Sequence, residues 1–147
     1  MEKKIQIRRA RKKDREEIVK IESNSGYHKT KFDMTDLIND LFEDKKNLVF
    51  VAIEDKKIVG YRSFYHEGKI AGEGYLGVSK NYQGKGIGKK LLEKSIIEAK
   101  NLGCNVMKLE VRKNNLIAIN LYKKLGFEVV GFVKKQNKIK LKMEKKL

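Results

Sequence analysis

The chain has no proline, a single cysteine and few acids, with 19 Asp and Glu set against 35 Lys and Arg among 147 residues. Each scarcity excludes something. No Pro-rich linker, internal repeat or low-complexity stretch interrupts the chain, so no domain boundary is predicted and one domain over 1–147 is expected. Cys104 cannot form an internal disulfide, and its expected place is that of a small buried apolar residue rather than a nucleophile. The opening M-E-K-K-I-Q-I-R-R lacks the apolar run of a secretory signal, which together with the lone cysteine predicts a cytoplasmic location. Long hydrophobic runs are also missing, so no membrane span and no membrane partner are expected.

What is present is lysine. A formal net charge of +16 raises nucleic acid or a phosphate-rich ligand as partners, but lysines spread along the whole chain also serve simply to solvate a surface. At the end of the chain Lys138, Lys140 and Lys142 alternate with Ile139, Leu141 and Met143. That alternation predicts a strand with one apolar face, placed at a sheet edge with its lysines toward water. No basic stripe interleaved with aromatics and no recognition-helix motif is visible, so a nucleic-acid partner is not expected.

Hydrophobic periodicity supplies the elements. Residues 5–7 form a short strand, and Asp14 is the predicted N-cap of a helix carrying Ile18, Val19 and Ile21. A second helix spans about 35–42, with Leu37, Ile38, Leu41 and Phe42 at helical spacing. Residues 48–54 and 58–65 read as a hairpin around the turn E-D-K-K. A glycine-rich strand covers 69–78, where glycines mark a bulge or a close backbone approach. The helix from Gly86 to Asn101 presents Ile87, Leu91, Ser95 and Ala99 on one face beside Leu92 and Ile96. A strand at 106–111, a helix starting at the capping Asn114 and ending at Gly126, and a closing hairpin complete a mixed α/β layered fold.

The stretch V-S-K-N-Y-Q-G-K-G-I-G at 78–88 lies between strand and helix. It matches neither G-x-x-x-x-G-K-[ST] nor G-x-G-x-x-G. It does offer a glycine-rich turn whose backbone N–H groups, over residues 84 to 89, converge at a helix start and can cradle an anion such as a pyrophosphate.

Three residue sets and the order of elements resemble the GNAT-type N-acetyltransferases. Gln83, Gly84, Lys85, Gly86, Ile87 and Gly88 match the family's Q/R-x-x-G-x-G/A pyrophosphate motif, with Lys89 following. N-L-I-A-I-N-L-Y-K-K-L-G-F at 115–127 resembles the signature N-x-x-A-x-x-L-Y-x-x-x-G-F through Asn115, Ala118, Leu121, Tyr122, Gly126 and Phe127. The strand Y-L-G-V at 75–78 takes the place of the family's cofactor-pairing strand. Lys80 stands where proline is common in the family.

The resemblance implies a mostly antiparallel seven-stranded sheet with about four helices, splayed between its fourth and fifth strands. It implies acetyl-CoA as cofactor, held at Gln83 to Lys89 and along the backbone of Leu76 and Val78. Asn115 would hydrogen-bond the cofactor arm, although it equally suits a plain helix cap. Tyr122 would donate a proton to the departing thiolate, where the plainer reading is an amphipathic core tyrosine. Glu73, on the glycine-rich strand, is the candidate general base, ahead of His28 and His66.

The implied activity is transfer of an acetyl group to a primary amine, on a small molecule or on a peptide or protein N-terminus, within a ternary complex. Peptide, amino acid, polyamine and aminoglycoside acceptors stay open, as does a homodimer. Glu22, Asp33, Asp36, Asp40, Glu43 and Asp44 concentrate acid in the segment expected to wall the acceptor site beside Ser25 to His28. They suit either a solvated helix face or attraction of a cationic amine. The competing class is a catalytically inactive module of the same fold that binds RNA or ribosome through its basic surface.

Overall fold

The computed structural model describes residues 4–24, 31–72 and 74–147, the side chains of 31–33 excepted. Among these residues eight strands and four helices follow one another. They are β1 (Gln6–Arg9), α1 (Arg15–Ser23), α2 (Lys31–Glu43), β2 (Asn47–Glu54), β3 (Lys57–Glu67), β4 (Ile70–Gly72), β5 (Leu76–Val78), α3 (Ile87–Asn101), β6 (Val106–Arg112), α4 (Leu116–Lys124), β7 (Glu128–Lys135) and β8 (Lys138–Lys146). The sheet is mostly antiparallel, with β4–β6 the parallel pairing. The chain forms two compact units, Met1–Phe64 with Tyr75–Ser95, and Tyr65–Gly74 with Ile96–Leu147, and both β3 and α3 run from one into the other.

In the first unit β2 lies between β1 and β3, and β5 pairs with β3. The uninterrupted apolar run of β2 follows from burial on both faces. Val49 and Val51 pack with Ile18, Val19 and Ile21 of α1 and with Met34, Ile38 and Leu41 of α2. On the alternate face the Phe50 ring meets the Lys94 ammonium of α3, 5.9 Å from its centroid. Gly60 of β3 sits under the same helix, and a Cβ there would stand 3.1 Å from Leu91 Cδ1. Each large apolar side chain so buried contributes about 1.5–3 kcal/mol.

Two expectations change in this unit. α2 begins at Lys31, ahead of the predicted 35. Asp14 stands just before α1 but makes no side-chain cap to it. Its carboxylate instead accepts from the Arg11 N–H at 2.7 Å and from both terminal nitrogens of Arg8, at 2.8 and 3.1 Å. A guanidinium fork outcompetes the orphan N–H groups of the helix, because a charged bidentate partner bonds more strongly than a neutral amide.

In the second unit the end of β3 pairs with β4, and β4, β6, β8 and β7 follow in that order. Met107, Val111 and Met143 line one face of the β6–β8 ladder and are buried. β8 is therefore interior, hydrogen-bonded on both edges, and β7 is the strand at the rim. The lysines of β8 face solvent across the sheet's open face, not from a sheet edge, which corrects the expected placement.

The predicted strand at 69–78 is two strands, which raises the expected seven to eight. Tyr65 pairs with Gly72, whereas Arg62 pairs with Leu76, so the sequence between the two pairs is one residue longer on the β4–β5 side than on β3. The extra residue is accommodated because the Tyr75 N–H turns to the Ser63 Oγ at 2.9 Å while the Ser63 N–H keeps the Tyr75 carbonyl at 2.8 Å. The β4–β6 ladder covers Ile70 with Val106 and Ala71 with Met107, and β5 pairs only with β3 among the described residues.

Candidate active site

β5 is the first component. Tyr61 of β3 faces Gly77 in the register, and the flanking bonds run from Ser63 N–H to the Tyr75 carbonyl and from Ser79 N–H to the Val59 carbonyl, each 2.8 Å. Antiparallel strands alternate, so Tyr75, Gly77 and Ser79 turn their backbone groups to β3 while Leu76 and Val78 turn theirs away. The two residues predicted to pair with a cofactor arm thus present N–H and C=O groups on the edge of β5 opposite β3. The Val78 carbonyl on that edge accepts from the Gln83 side-chain amide at 3.0 Å.

Gly77 has a local cause. A Cβ there would stand 2.8 Å from Tyr61 Cε1 and 3.1 Å from Ile21 Cγ2, so the Tyr61 ring lies directly against the strand. The Tyr61 hydroxyl donates to Glu22 Oε1, and both residues are buried. Burial first, then the neighbouring Glu22 carboxylate, push the Tyr61 phenol well above its ordinary range, so it stays a neutral donor. Glu22, expected either on a solvated helix face or among acids attracting a cationic amine, is instead buried, and Tyr61 was not among the expected site residues. The signal available was a tyrosine inside an otherwise apolar strand.

The turn into α3 is the second component. Lys80–Tyr82 form a single 3-10 turn, then Gly84 and Gly86 take φ of +78° and +82°. These are left-handed values that residues with a Cβ adopt at a cost of about 1–2 kcal/mol. The first helical bond closes from the Lys90 N–H to the Gly86 carbonyl, 3.1 Å, so the N–H groups of Ile87, Gly88 and Lys89 have no helical acceptor. No acid occupies the first turn of this helix. Gly88 lies beside β5: a Cβ there would be in ordinary contact with Val78 Cγ2 at 3.8 Å and Leu76 Cδ2 at 4.0 Å. Leu76, Val78, Gln83 and Gly88 therefore come together. Tyr82 adds a platform, with the Lys85 ammonium 5.1 Å and the Lys57 ammonium 5.7 Å from its ring centroid. Lys57 was not predicted for the site, because it lies in a distant hairpin strand.

A pyrophosphate fits this turn. Left-handed glycines open the backbone, three helix N–H groups lack acceptors, the helix dipole is positive there, and lysines replace acids.

Asn115 and Tyr122 belong to the second unit. Asn115 caps α4, its Oδ1 accepting the Ala118 N–H at 3.2 Å, which is the helix-cap role expected of it, whereas Asn114, also expected to cap, stands one residue ahead. Tyr122 is half-buried two turns on, its ring edge-on to Phe127 with centroids 5.7 Å apart. The Phe127 N–H donates to the Tyr122 carbonyl at 3.0 Å, and Gly126 adopts φ +94° to end the helix. Leu121, Tyr122, Gly126 and Phe127 thus form one local structure.

Glu73, Ser25, Gly26, Tyr27 and His28 lie outside the described residues, as does the side chain of Asp33. His66 is half-buried on β3. Asp36, Asp40, Glu43 and Asp44 are exposed, which both expected readings of that acidic segment require. Cys104 is buried, as expected, and burial raises its thiol above the ordinary value. No described helix is long and apolar enough to cross a membrane.

The acetyltransferase (GNAT) family model matches residues 15–127, and the chain belongs to that family. A spermine/spermidine N(1)-acetyltransferase of Bacillus subtilis is 31% identical over 106 residues, covering 55% of this chain and 69% of that protein. An L-amino acid N-acyltransferase of Escherichia coli is 34% identical over 88 residues, covering 56% of this chain and 51% of that one. For several relatives the chain spans only 21% to 52% of their length. The crystal structure of the ribosomal-protein-S18-alanine N-acetyltransferase from Escherichia coli shares the fold, with a TM-score of 0.86, 21% identity and coverage of 97% and 94%.

Proposed function

We propose that the chain is an acetyl-CoA-dependent N-acetyltransferase, acting as one domain over 1–147 and moving the acetyl group directly to a primary amine in a ternary complex. The observation that carries this reading is the pairing, in the first unit, of the outward-facing backbone of Leu76 and Val78 with the glycine turn at the start of α3. Family membership and the amine-acetylating relatives support it.

Bound acetyl-CoA supplies an activated thioester and a pyrophosphate handle. In this reading the turn from Gln83 to Lys89 holds the handle, and the outward groups of Leu76 and Val78 hydrogen-bond the amides of the arm like an added strand. The Val78 N–H, in a strand fixed from below by Tyr61, donates to the thioester carbonyl and stabilises the negative charge that develops on its oxygen. Asn115 orients the arm with its amide nitrogen, since its oxygen already caps α4. Glu73 accepts the amine proton through water, so that a neutral amine forms the new N–C bond. As the C–S bond breaks, the Tyr122 hydroxyl would give its proton to sulfur and take back the one that the newly acylated nitrogen sheds, leaving amide and free thiol. The acceptor is a small-molecule amine or a peptide or protein N-terminus.

The test is an amine panel of polyamines, amino acids and N-terminal peptides, with acetyl-CoA, read by thiol release and by product mass. Acetylation of one amine class supports the reading. Thiol release no faster than from buffer with every amine, despite bound acetyl-CoA, would leave an inactive module of the same fold.

A further inference from the structure

The open face of the β6–β8–β7 sheet concentrates positive charge against the rules of strand pairing. Lys135 stands directly opposite Lys138, and Lys140 directly opposite Arg112. Like charges in such positions repel and weaken a sheet. Lys142, which faces Glu110 across the ladder, continues the row along β8, so alternate residues of one strand set cations about 7 Å apart. Glu110 answers Lys135 at 3.8 Å and Glu144 answers Lys108 at 3.4 Å, but Lys138, Lys140 and Lys142 make no ion pair among the described residues. The lysines are not edge guards, because β8 is interior. An open concavity of about 510 Å³ is lined here by Arg112, Lys135, Gln136, Lys138 and Lys140.

A repulsive row that lies open to solvent is satisfied by an anion with charges in line. We propose that this face binds the phosphate backbone of a nucleic-acid strand, independently of base sequence. A linear spacing of cations suits a chain of phosphates better than one compact anion. This reverses the expectation drawn from the sequence, where no contiguous stripe is visible because the cations come from three strands and meet only in the fold. The inference is independent of the acetyl-transfer reading.

The experiment measures fluorescence anisotropy of a labelled oligouridylate over a series of salt concentrations. It compares the wild type, a triple variant K138Q/K140Q/K142Q, and a control triple K12Q/K13Q/K45Q that removes the same charge from exposed positions in the first unit. The wild type is expected to bind with log K falling linearly in log salt. The β8 triple should flatten that slope by about 2 and weaken binding roughly tenfold near 100 mM salt, and the control should match the wild type. Thermal melting of the β8 triple should stay close to wild type, since Lys138 and Lys140 lose like-charged neighbours while Lys142 loses the facing Glu110, and the single variant K140Q should melt no lower than wild type and flatten the slope by about a third as much. The proposal is overturned if wild type does not bind, or if both triples weaken binding equally, which is net charge alone. It is also overturned if inorganic tripolyphosphate competes at the β8 face as tightly as the oligonucleotide, which defines a small-anion site.

Discussion

The Gln83 amide nitrogen donates to the Val78 carbonyl at 3.0 Å, joining the glycine turn to the strand proposed to polarise the thioester. One bond thereby couples where the cofactor's handle is held to where its reacting end would lie. Gln83→Leu removes the donor and leaves the carbonyl to water. Acetyl-CoA affinity should fall by about 1 kcal/mol, roughly fivefold, with melting temperature little changed. Calorimetric titration checks this, and an unchanged Kd would place Gln83 outside the site.

Gly86→Asp combines two effects at one position. The φ of +82° is poorly suited to a side chain, although a Cβ there would meet nothing within 4 Å. Its carboxylate would also place negative charge beside the proposed pyrophosphate. Gly86→Ala separates the two, since it carries the strain without the charge. The aspartate variant should bind acetyl-CoA at least tenfold more weakly than the alanine variant at low salt, and the gap should shrink as salt rises. Equal affinities would refute the cradle.

Tyr122→Phe keeps the ring that packs on Phe127 and deletes the hydroxyl. If that hydroxyl protonates the departing thiolate, kcat should fall by about 100-fold or more while the Kd for acetyl-CoA stays near wild type. Unchanged kcat in single-turnover measurements would remove Tyr122 from the chemistry and leave it a core tyrosine.

Asp14 makes a pH prediction. The Arg8 guanidinium, chiefly by hydrogen bonding, holds its carboxyl below the ordinary value against the opposing effect of burial. A carboxyl lowered in the folded state contributes stability above its unfolded pKa, near 4, and loses it as pH falls through the folded value. Asp14→Asn should therefore cost about 2 kcal/mol at neutral pH, and the difference from wild type should close in acid. Denaturant melts at several pH values read it, and a pH-independent gap would show that packing, not charge, is lost.

Much of the fold was legible because periodicity reports burial directly. Ile87, Leu91, Leu92, Ser95, Ile96 and Ala99 were placed on one side of α3 from spacing alone, and all are buried. Asp14 was misread because the cap motif is local, whereas its partner Arg8 arrives from the preceding strand. The break between β4 and β5 depends on the Ser63 Oγ taking a backbone N–H, a substitution of partners that no periodicity records. β8 was assigned to an edge because lysines usually guard edges, yet these occupy an open face. The turn was visible in motif spacing and the two outward residues of β5 were implied by the family resemblance, but their backbone direction follows only from the register against β3.

The central claim is that the β5 edge and the α3 turn together hold acetyl-CoA. Titration of acetyl-CoA into the wild-type chain by calorimetry, with the Gly86→Asp variant alongside, tests it most directly. Saturable binding at one site per chain, lost or strongly weakened in the variant, is the predicted result. No heat and no thermal stabilisation from acetyl-CoA in the folded wild type would contradict it.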